Sequence, residues 1–320
     1  MCFLFILLSV NCEREKMEQK KSLLKSWVEA ARPKTLPASL SPVLLACVLA
    51  WCEGVFRLIP AILCFGVALL AQIASNFAND YFDFKKGADR EDRLGPERAV
   101  AQGWITPGAM LKATFITLGF SCLCGCMLLF YAGWELIPVG IAIALCVLAY
   151  SAGPFPLAYN GLGDVCVILF YGVIPLCFTY YVQAGSFSML SFLLSLSLGL
   201  LSTNILVVNN YRDYVQDKAA RKRTTIVLFG RGFGRIFYLM NGIVAFLLAM
   251  PLLFEAPTWV LLLFAAFFTL FIKTWRELYH FEGKELNKTL AHTARNVFLF
   301  TLLLSLLLLS FWLHQPEYVG

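Results

Sequence analysis

The sequence predicts an all-α protein, a polytopic membrane bundle of nine transmembrane helices. Three observations carry that prediction. Of 320 residues, 59% are apolar and only 14% are charged, with a mean hydropathy of +0.73; a soluble domain carries about 25% charge and needs polar surface in proportion to its mass. The apolar residues fall in long runs rich in Leu, Phe and Ala, near the roughly 20 residues that cross a hydrocarbon core of about 30 Å. No run alternates polar with apolar residues as a membrane barrel strand must. A soluble globular enzyme is excluded on these grounds, and the loops leave no room for a large extramembrane domain.

Residues 1–30 read as an amino-terminal cytoplasmic segment and 31–320 as a single transmembrane domain. The opening run MCFLFILLSV is too short to cross and reads as an interfacial anchor, a poorly cleaved signal or a non-structural tail. The first two helices, 37–56 and 59–81, are parted by Arg57. The next two, 106–131 and 135–152, are parted at Gly133 and end before Gly153 and Pro154. Gly185 separates 163–182 from 187–212. A charged stretch precedes 233–252, Glu255 and Pro257 separate it from 257–279, and the charged residues 282–288 precede 294–314.

The net charge of +6, from 26 basic and 20 acidic residues, is informative through its placement. Every Lys and Arg except Arg57 lies in the amino-terminal segment, in the loops after the second, fourth, sixth and eighth helices, or at the helix ends bordering them. This asymmetry orients the chain in a cell inner membrane, amino terminus in the cytoplasm and carboxyl terminus outside. The basic excess is thus a property of one membrane face, with the bilayer and an anionic substrate as partners and no nucleic acid. The 11 Cys residues form no CxxC pair, and Cys122, Cys124 and Cys126 do not share a helix face, so neither a disulfide framework nor a zinc site is supported.

That face carries two unusually polar segments. In NFANDYFDFKKGADREDRLGPERAV, Asn76, Asp80 and Asp83 are spaced four and three, hence on one helix face; Asn79 lies beside them, and Gly87 permits a turn before Asp89. In NNYRDYVQDKAARKRTT, Asn209, Asp213 and Asp217 recur at steps of four. The segments begin where the second and sixth helices end, which suggests a duplicated four-helix unit with a ninth helix added. Carboxylates so near hydrocarbon are costly unless paired or bound to cations. Their oxygens suit Mg²⁺, which keeps several waters and bridges to substrate phosphate.

Basic residues follow each set: Lys85, Lys86, Arg90, Arg93 and Arg98, then Lys218, Arg221, Lys222 and Arg223. Together they suit a diphosphate clamped over the bundle. The plainer reading is of solvated loops whose Asp residues pair with nearby Lys and Arg; two matched clusters argue against it. Asp164 starts the fifth helix, and no acid or His lies near the middle of any helix. That counts against a proton-relay transporter, although a transporter of an anionic metabolite stands as the alternative of a different class. Tyr150, Tyr159 and Tyr211 lie near the polar face as secondary candidates, and Gln72 reads as an interhelical hydrogen-bonding residue.

The strings ARPKTLPASLSPVL, NFANDYFDFKKGAD with RLGPERAV, GLGDV and NNYRDYVQDKAARKRTTIVLFG resemble the UbiA superfamily of intramembrane aromatic prenyltransferases, and within it the branch acting on 1,4-dihydroxy-2-naphthoate in menaquinone synthesis. The resemblance runs from Ala31 to about Trp312. It maps the first family motif onto Asn79, Asp80, Asp83 and Asp89, with a longer interval before the last, and the second onto Asp213 and Asp217. It implies that these aspartates bind Mg²⁺ and that Asp80, Asp83, Asp213 and Asp217 are catalytic. Asn76, Asn79, Arg93, Asn209 and Lys222 would bind substrate. Asp164 stands where a glutamate is the familiar residue: charge is kept, reach is shorter, and the resemblance alone makes it no acceptor-positioning residue. The implied activity is Mg-dependent transfer of a polyprenyl group from its diphosphate to the naphthoate, giving demethylmenaquinone, diphosphate and CO₂, with the tail in a lateral lipid-accessible groove. Prenylation of another aromatic acceptor, 4-hydroxybenzoate or homogentisate, shares the same diphosphate-side residues.

Overall fold

The computed structural model describes residues 23–87 and 93–314, and among these every regular element is helical. In chain order they are α1 (Leu23–Ala31), α2 (Leu36–Cys52), α3 (Leu58–Lys85), α4 (Pro107–Ala132), α5 (Leu136–Ala149), α6 (Gly163–Ala184), α7 (Met189–Arg212), α8 (Tyr214–Ala219), α9 (Thr225–Leu253), α10 (Thr258–His280) and α11 (Leu286–His314). The nine expected spans coincide in position with α2 to α7 and α9 to α11. Among the described residues, seven helices are long and apolar enough to cross a membrane, and an eighth is reached if α1 and α2, bent by 54°, count as one span. The expected crossing left over, the fourth (135–152), falls on α5, whose 14 residues rise only about 21 Å.

Some boundaries move for identifiable reasons. Helix α9 begins eight residues before the expected 233 because the Thr224 hydroxyl accepts the Val227 N–H at 3.2 Å and caps a first turn. Gly230, at φ 87°, then breaks the helix and makes that turn look like loop. Helix α11 likewise starts inside the charged connection, at Leu286. From its first two turns Asn287, Leu290 and Ala291 line the cavity described below.

The spans form a ring, with α3 packed along α4, α6 and α9 against α7, and α11 closing against α2. Helix α7 is the most enclosed span, with 67% of its central window buried against 22% for α4. Its buried positions include Ser191, Ser195, Ser197, Ser202, Thr203 and Asn204, small or polar residues of the kind that lets helices approach closely in lipid. Gly199 illustrates this: a Cβ there would lie 2.8 Å from the Ile168 carbonyl oxygen, so only glycine admits the π-turn Leu169–Val173 of α6. Asn204 donates to the Tyr238 carbonyl at 3.0 Å and accepts from Asn241 at 3.0 Å, tying α7 to α9. The largest apolar core gathers Phe246, Phe264, Phe267 and Phe300 where α9, α10 and α11 meet, with ring centroids 5.3 to 6.4 Å apart around Phe246 and Phe300.

Candidate active site

A cavity of about 1030 Å³ opens inside the ring, and the two acidic segments meet at one end of it. Asn76, Asn79, Asp80, Asp83, Arg93, Asn209, Asp213, Asp217 and Lys222 all line this cavity. Asp89 lies outside the described residues. Along α3 the lining continues through Gln72, Ala68 and Val67 to Cys64, about 28 Å of helix from Asp83. Leu118, Leu128, Leu136, Val147, Phe170 and Phe178 face the apolar part. The cavity is therefore amphiphilic, charged at one end and greasy along its length.

The first segment is built as its spacing requires. Helix α3 continues to Lys85, four residues beyond the expected end, and buries Asn76, Asp80 and Asp83 on one face. The Asp80 carboxylate accepts the backbone N–H groups of Ala99 (3.0 Å) and Val100 (3.3 Å). It thereby folds the chain from Arg93 to Val100 back over the helix end. Arg98 meets Asp83 at 3.1 Å from the same segment, and Arg93 donates to the Pro96 carbonyl at 3.0 Å. Tyr159, from the α5–α6 connection, donates to the other Asp83 oxygen at 2.9 Å. Asn76 is turned inward, donating to the Ala31 carbonyl at 2.9 Å. Gln72 completes an interhelical network, donating to Asn76 and accepting from the Tyr171 hydroxyl.

The second segment keeps its polar stripe across a helix break. Helix α7 stops at Arg212, and Asp213 leaves helical geometry at φ −89°, ψ 13°. Yet Asp213 N–H still bonds the Asn209 carbonyl at 3.0 Å, and Asp217 N–H bonds the Asp213 carbonyl at 2.7 Å. Arg221, at φ 57°, closes α8 with a left-handed residue. The chain then returns Lys222 to within 3.6 Å of the Asp217 carboxylate. Arg212 is buried and grips Asp213 with two bonds, of 2.8 and 2.6 Å. It also donates to Asn209 at 2.8 Å and to Asn287 of α11 at 2.7 Å. Asn287 in turn donates to the Leu94 carbonyl at 2.9 Å, linking the second segment to the first.

Electrostatics confirm that the two segments share one environment. Burial pushes the Asp217 carboxyl up to about 6; Lys222 opposes this, while the negative charges of Asp213 and Asp83 add to it. Burial likewise lowers the Lys86 ammonium, which feels Asp83 and Lys222 in opposite senses. Lys86 and Lys222 both lie over the Tyr159 ring, at 4.6 and 4.7 Å from its centroid.

Among the described residues no three acidic, His or Cys side chains form a ready-made cation cage. The donor set nevertheless fits Mg²⁺, which takes one or two carboxylates and completes its shell from water and substrate phosphate. Asp83, Asp213 and Asp217, with the amide oxygens of Asn79 and Asn209, supply such oxygens on the cavity wall. Arg212 and Asn287 were not singled out from sequence. An Arg beside an Asp at a helix end was the available signal for the first; the partner of Asn287 is distant in the chain, and no local pattern marks it.

The comparisons with known proteins agree with this architecture. The model of the UbiA prenyltransferase family matches residues 39–302. The 1,4-dihydroxy-2-naphthoate octaprenyltransferase of Escherichia coli (strain K12) is 35% identical over 269 residues, covering 76% of this chain and 87% of that protein. The enzyme of the same name from Mycobacterium tuberculosis is 34% identical over 75% of this chain and 82% of its own length. In fold, the chain is similar to a UbiA homolog from Archaeoglobus fulgidus solved bound to DMAPP and Mg²⁺. The TM-score is 0.57 at 15% identity, covering 86% of this chain and 99% of that one. With the family's pattern matched across most of its length, this chain belongs to the UbiA prenyltransferase family.

Proposed function

We propose that the protein transfers a polyprenyl group from polyprenyl diphosphate to 1,4-dihydroxy-2-naphthoate in a Mg²⁺-dependent reaction yielding demethylmenaquinone in its reduced, hydroquinone form, diphosphate and CO₂. The observation that carries this reading is the amphiphilic cavity, in which two acidic and basic segments from distant parts of the chain converge above an apolar channel. Such a shape suits a substrate with a charged head and a long hydrocarbon tail. The relatives named for the naphthoate reaction supply the acceptor, and the homolog carrying DMAPP and Mg²⁺ supports the metal.

In this reading Asp83, Asp213 and Asp217, with Asp89, hold Mg²⁺, and Asp80 supports them by fixing the Arg93–Val100 segment. When bound, Mg²⁺ neutralises charge growing on the leaving diphosphate. Lys222, Lys86, Arg93 and Arg98 add fixed positive charge at the same end, and Asn79 and Asn209 orient the head group. The tail lies along α3 toward Cys64, with the aromatic walls shielding allylic cation character at the first prenyl carbon. Residues 31–320 act as one transmembrane domain of the cell inner membrane, with residues 1–30 and the active-site loops on the cytoplasmic face.

The test is mass identification of the product from 1,4-dihydroxy-2-naphthoate and a series of prenyl diphosphates, with and without Mg²⁺. A prenylated, decarboxylated naphthohydroquinone, or the quinone it gives on oxidation in air, that requires Mg²⁺ is expected. Selective use of 4-hydroxybenzoate would sink the acceptor assignment.

A further inference from the structure

One buried charge lies outside the diphosphate machinery. Asp164, on the first turn of α6, is 6% exposed and lines the cavity. Its Oδ2 accepts the Thr225 hydroxyl at 2.7 Å. Its Oδ1 is buried and has no hydrogen-bond partner among the described residues. The α6 amino terminus favours a negative charge there, but that does not supply the missing bond. A carboxylate oxygen without a partner costs about 1–3 kcal/mol or more, so an orphan on a ligand cavity is a vacant acceptor position.

Its placement relative to the diphosphate end is set by two short segments lying side by side. Arg223 N–H bonds the Tyr159 carbonyl at 2.9 Å, Lys222 covers the Tyr159 ring, and Thr225 bonds Asp164. Lys222 and Thr225 are three residues apart, at most on the order of 10 Å. Asp164 is thus one short step from the groups that hold the leaving diphosphate. Gly163 beside it leaves space for Tyr150 and Leu206, whose nearest atoms would lie 3.6 and 3.1 Å from a Cβ at that position. Both side chains also line the cavity.

Resting on the prenyl-transfer reading above, we propose that Asp164, held by Thr225, is the base that receives the hydroxyl hydrogen of the aromatic acceptor. The acceptor O–H bond breaks and its proton passes to Oδ1. The electron pair flows through the ring to the adjacent carboxylate-bearing carbon, which bonds the first prenyl carbon. The prenyl C–O bond breaks and its pair leaves with diphosphate. Loss of CO₂ returns the C–C pair to the ring, and the ring oxygen recovers its proton from Asp164. The product forms as the hydroquinone, with no oxidant consumed and no net proton transferred.

The experiment compares wild type, Asp164→Asn and Thr225→Val in membranes, with the naphthoate and with an analogue whose neighbouring hydroxyl is methylated. Binding of prenyl diphosphate with Mg²⁺ is measured in parallel. Asp164→Asn is expected to lower kcat on the naphthoate by about 10²–10⁴-fold, leave donor affinity within about twofold, and cause no further loss on the methylated acceptor. Near-parental turnover, or a loss of donor affinity matching the loss of turnover, overturns the proposal. Should Asp164→Asn fail to insert, Thr225→Val decides: about a tenfold lower kcat at unchanged donor affinity supports the role, and a parental rate refutes it. If wild type ignores the naphthoate but prenylates another hydroxyaromatic acid, the acceptor assignment fails by itself, and the variants are judged with that acid.

Discussion

The Tyr159 hydroxyl donates a 2.9 Å hydrogen bond to Asp83, joining the α5–α6 connection to the end of α3. The same ring lies under Lys86 and Lys222, so one side chain organises a carboxylate and two cations drawn from both polar segments. Tyr159→Phe keeps the ring but removes a bond to a charged group, worth about 1.5–3 kcal/mol. Turnover is expected to fall roughly 10- to 100-fold, with intact membrane insertion. Tyr159→Ala, which also removes the surface beneath the two ammonium groups, falls further. Steady-state kinetics of both variants check the order.

Arg212 is buried and satisfies Asp213, Asn209 and Asn287 together. Arg212→Gln leaves a partly buried carboxylate without its ion partner, a loss of about 3–5 kcal/mol in comparable sites. Thermal unfolding in detergent is expected to shift down by several degrees, and Mg²⁺-dependent turnover to be lost. Gly95→Ala probes the same point differently, because a Cβ there would lie 2.7 Å from Arg212 Nη2.

Asp217 titrates near 6 in the folded protein, above its ordinary 3.8. The protonated form is what folding favours, so Asp217 costs stability at neutral pH and returns it as pH falls from about 6 toward 4. Metal binding has the opposite sign, since protons compete for the carboxylate. Apparent Mg²⁺ affinity should be about tenfold weaker at pH 5 than at pH 7. Titration of Mg²⁺ at the two values checks this, and Asp217→Asn should bind Mg²⁺ weakly at both.

Chelation of divalent metal should abolish diphosphate release, and added Mg²⁺ should restore it. Asp80→Asn and Asp213→Asn should each lose at least about 10²-fold in turnover, with insertion checked by protease protection. Parental activity in Asp213→Asn would reject the metal-site assignment, and parental activity in Asp80→Asn would reject the supporting role of Asp80.

Gly242 faces the Phe271 ring so closely that a Cβ would overlap it. Gly242→Ala is therefore an overpacking change between α9 and α10, expected to cost about 1–3 kcal/mol. A lower unfolding temperature with nearly unchanged KM for both substrates would separate this packing role from the site.

Composition and hydrophobic run length alone determined that this chain is a helical membrane bundle, because lipid admits few other backbones that satisfy their own hydrogen bonds. Local spacing determined the polar stripes, since Asn76, Asp80 and Asp83, like Asn209, Asp213 and Asp217, are arranged by the helical repeat itself. Tertiary structure decided what those residues touch. The Asp80 carboxylate holds Ala99 and Val100, Asp213 is gripped by Arg212, and Asn287 ties the second segment to Leu94 from far along the chain. Such partners come from the ends of different helices, where no periodicity brings them together. The same holds for the orphan oxygen of Asp164: the sequence places an acid at a helix start, and only the packed cavity shows that one of its oxygens has no partner among the described residues.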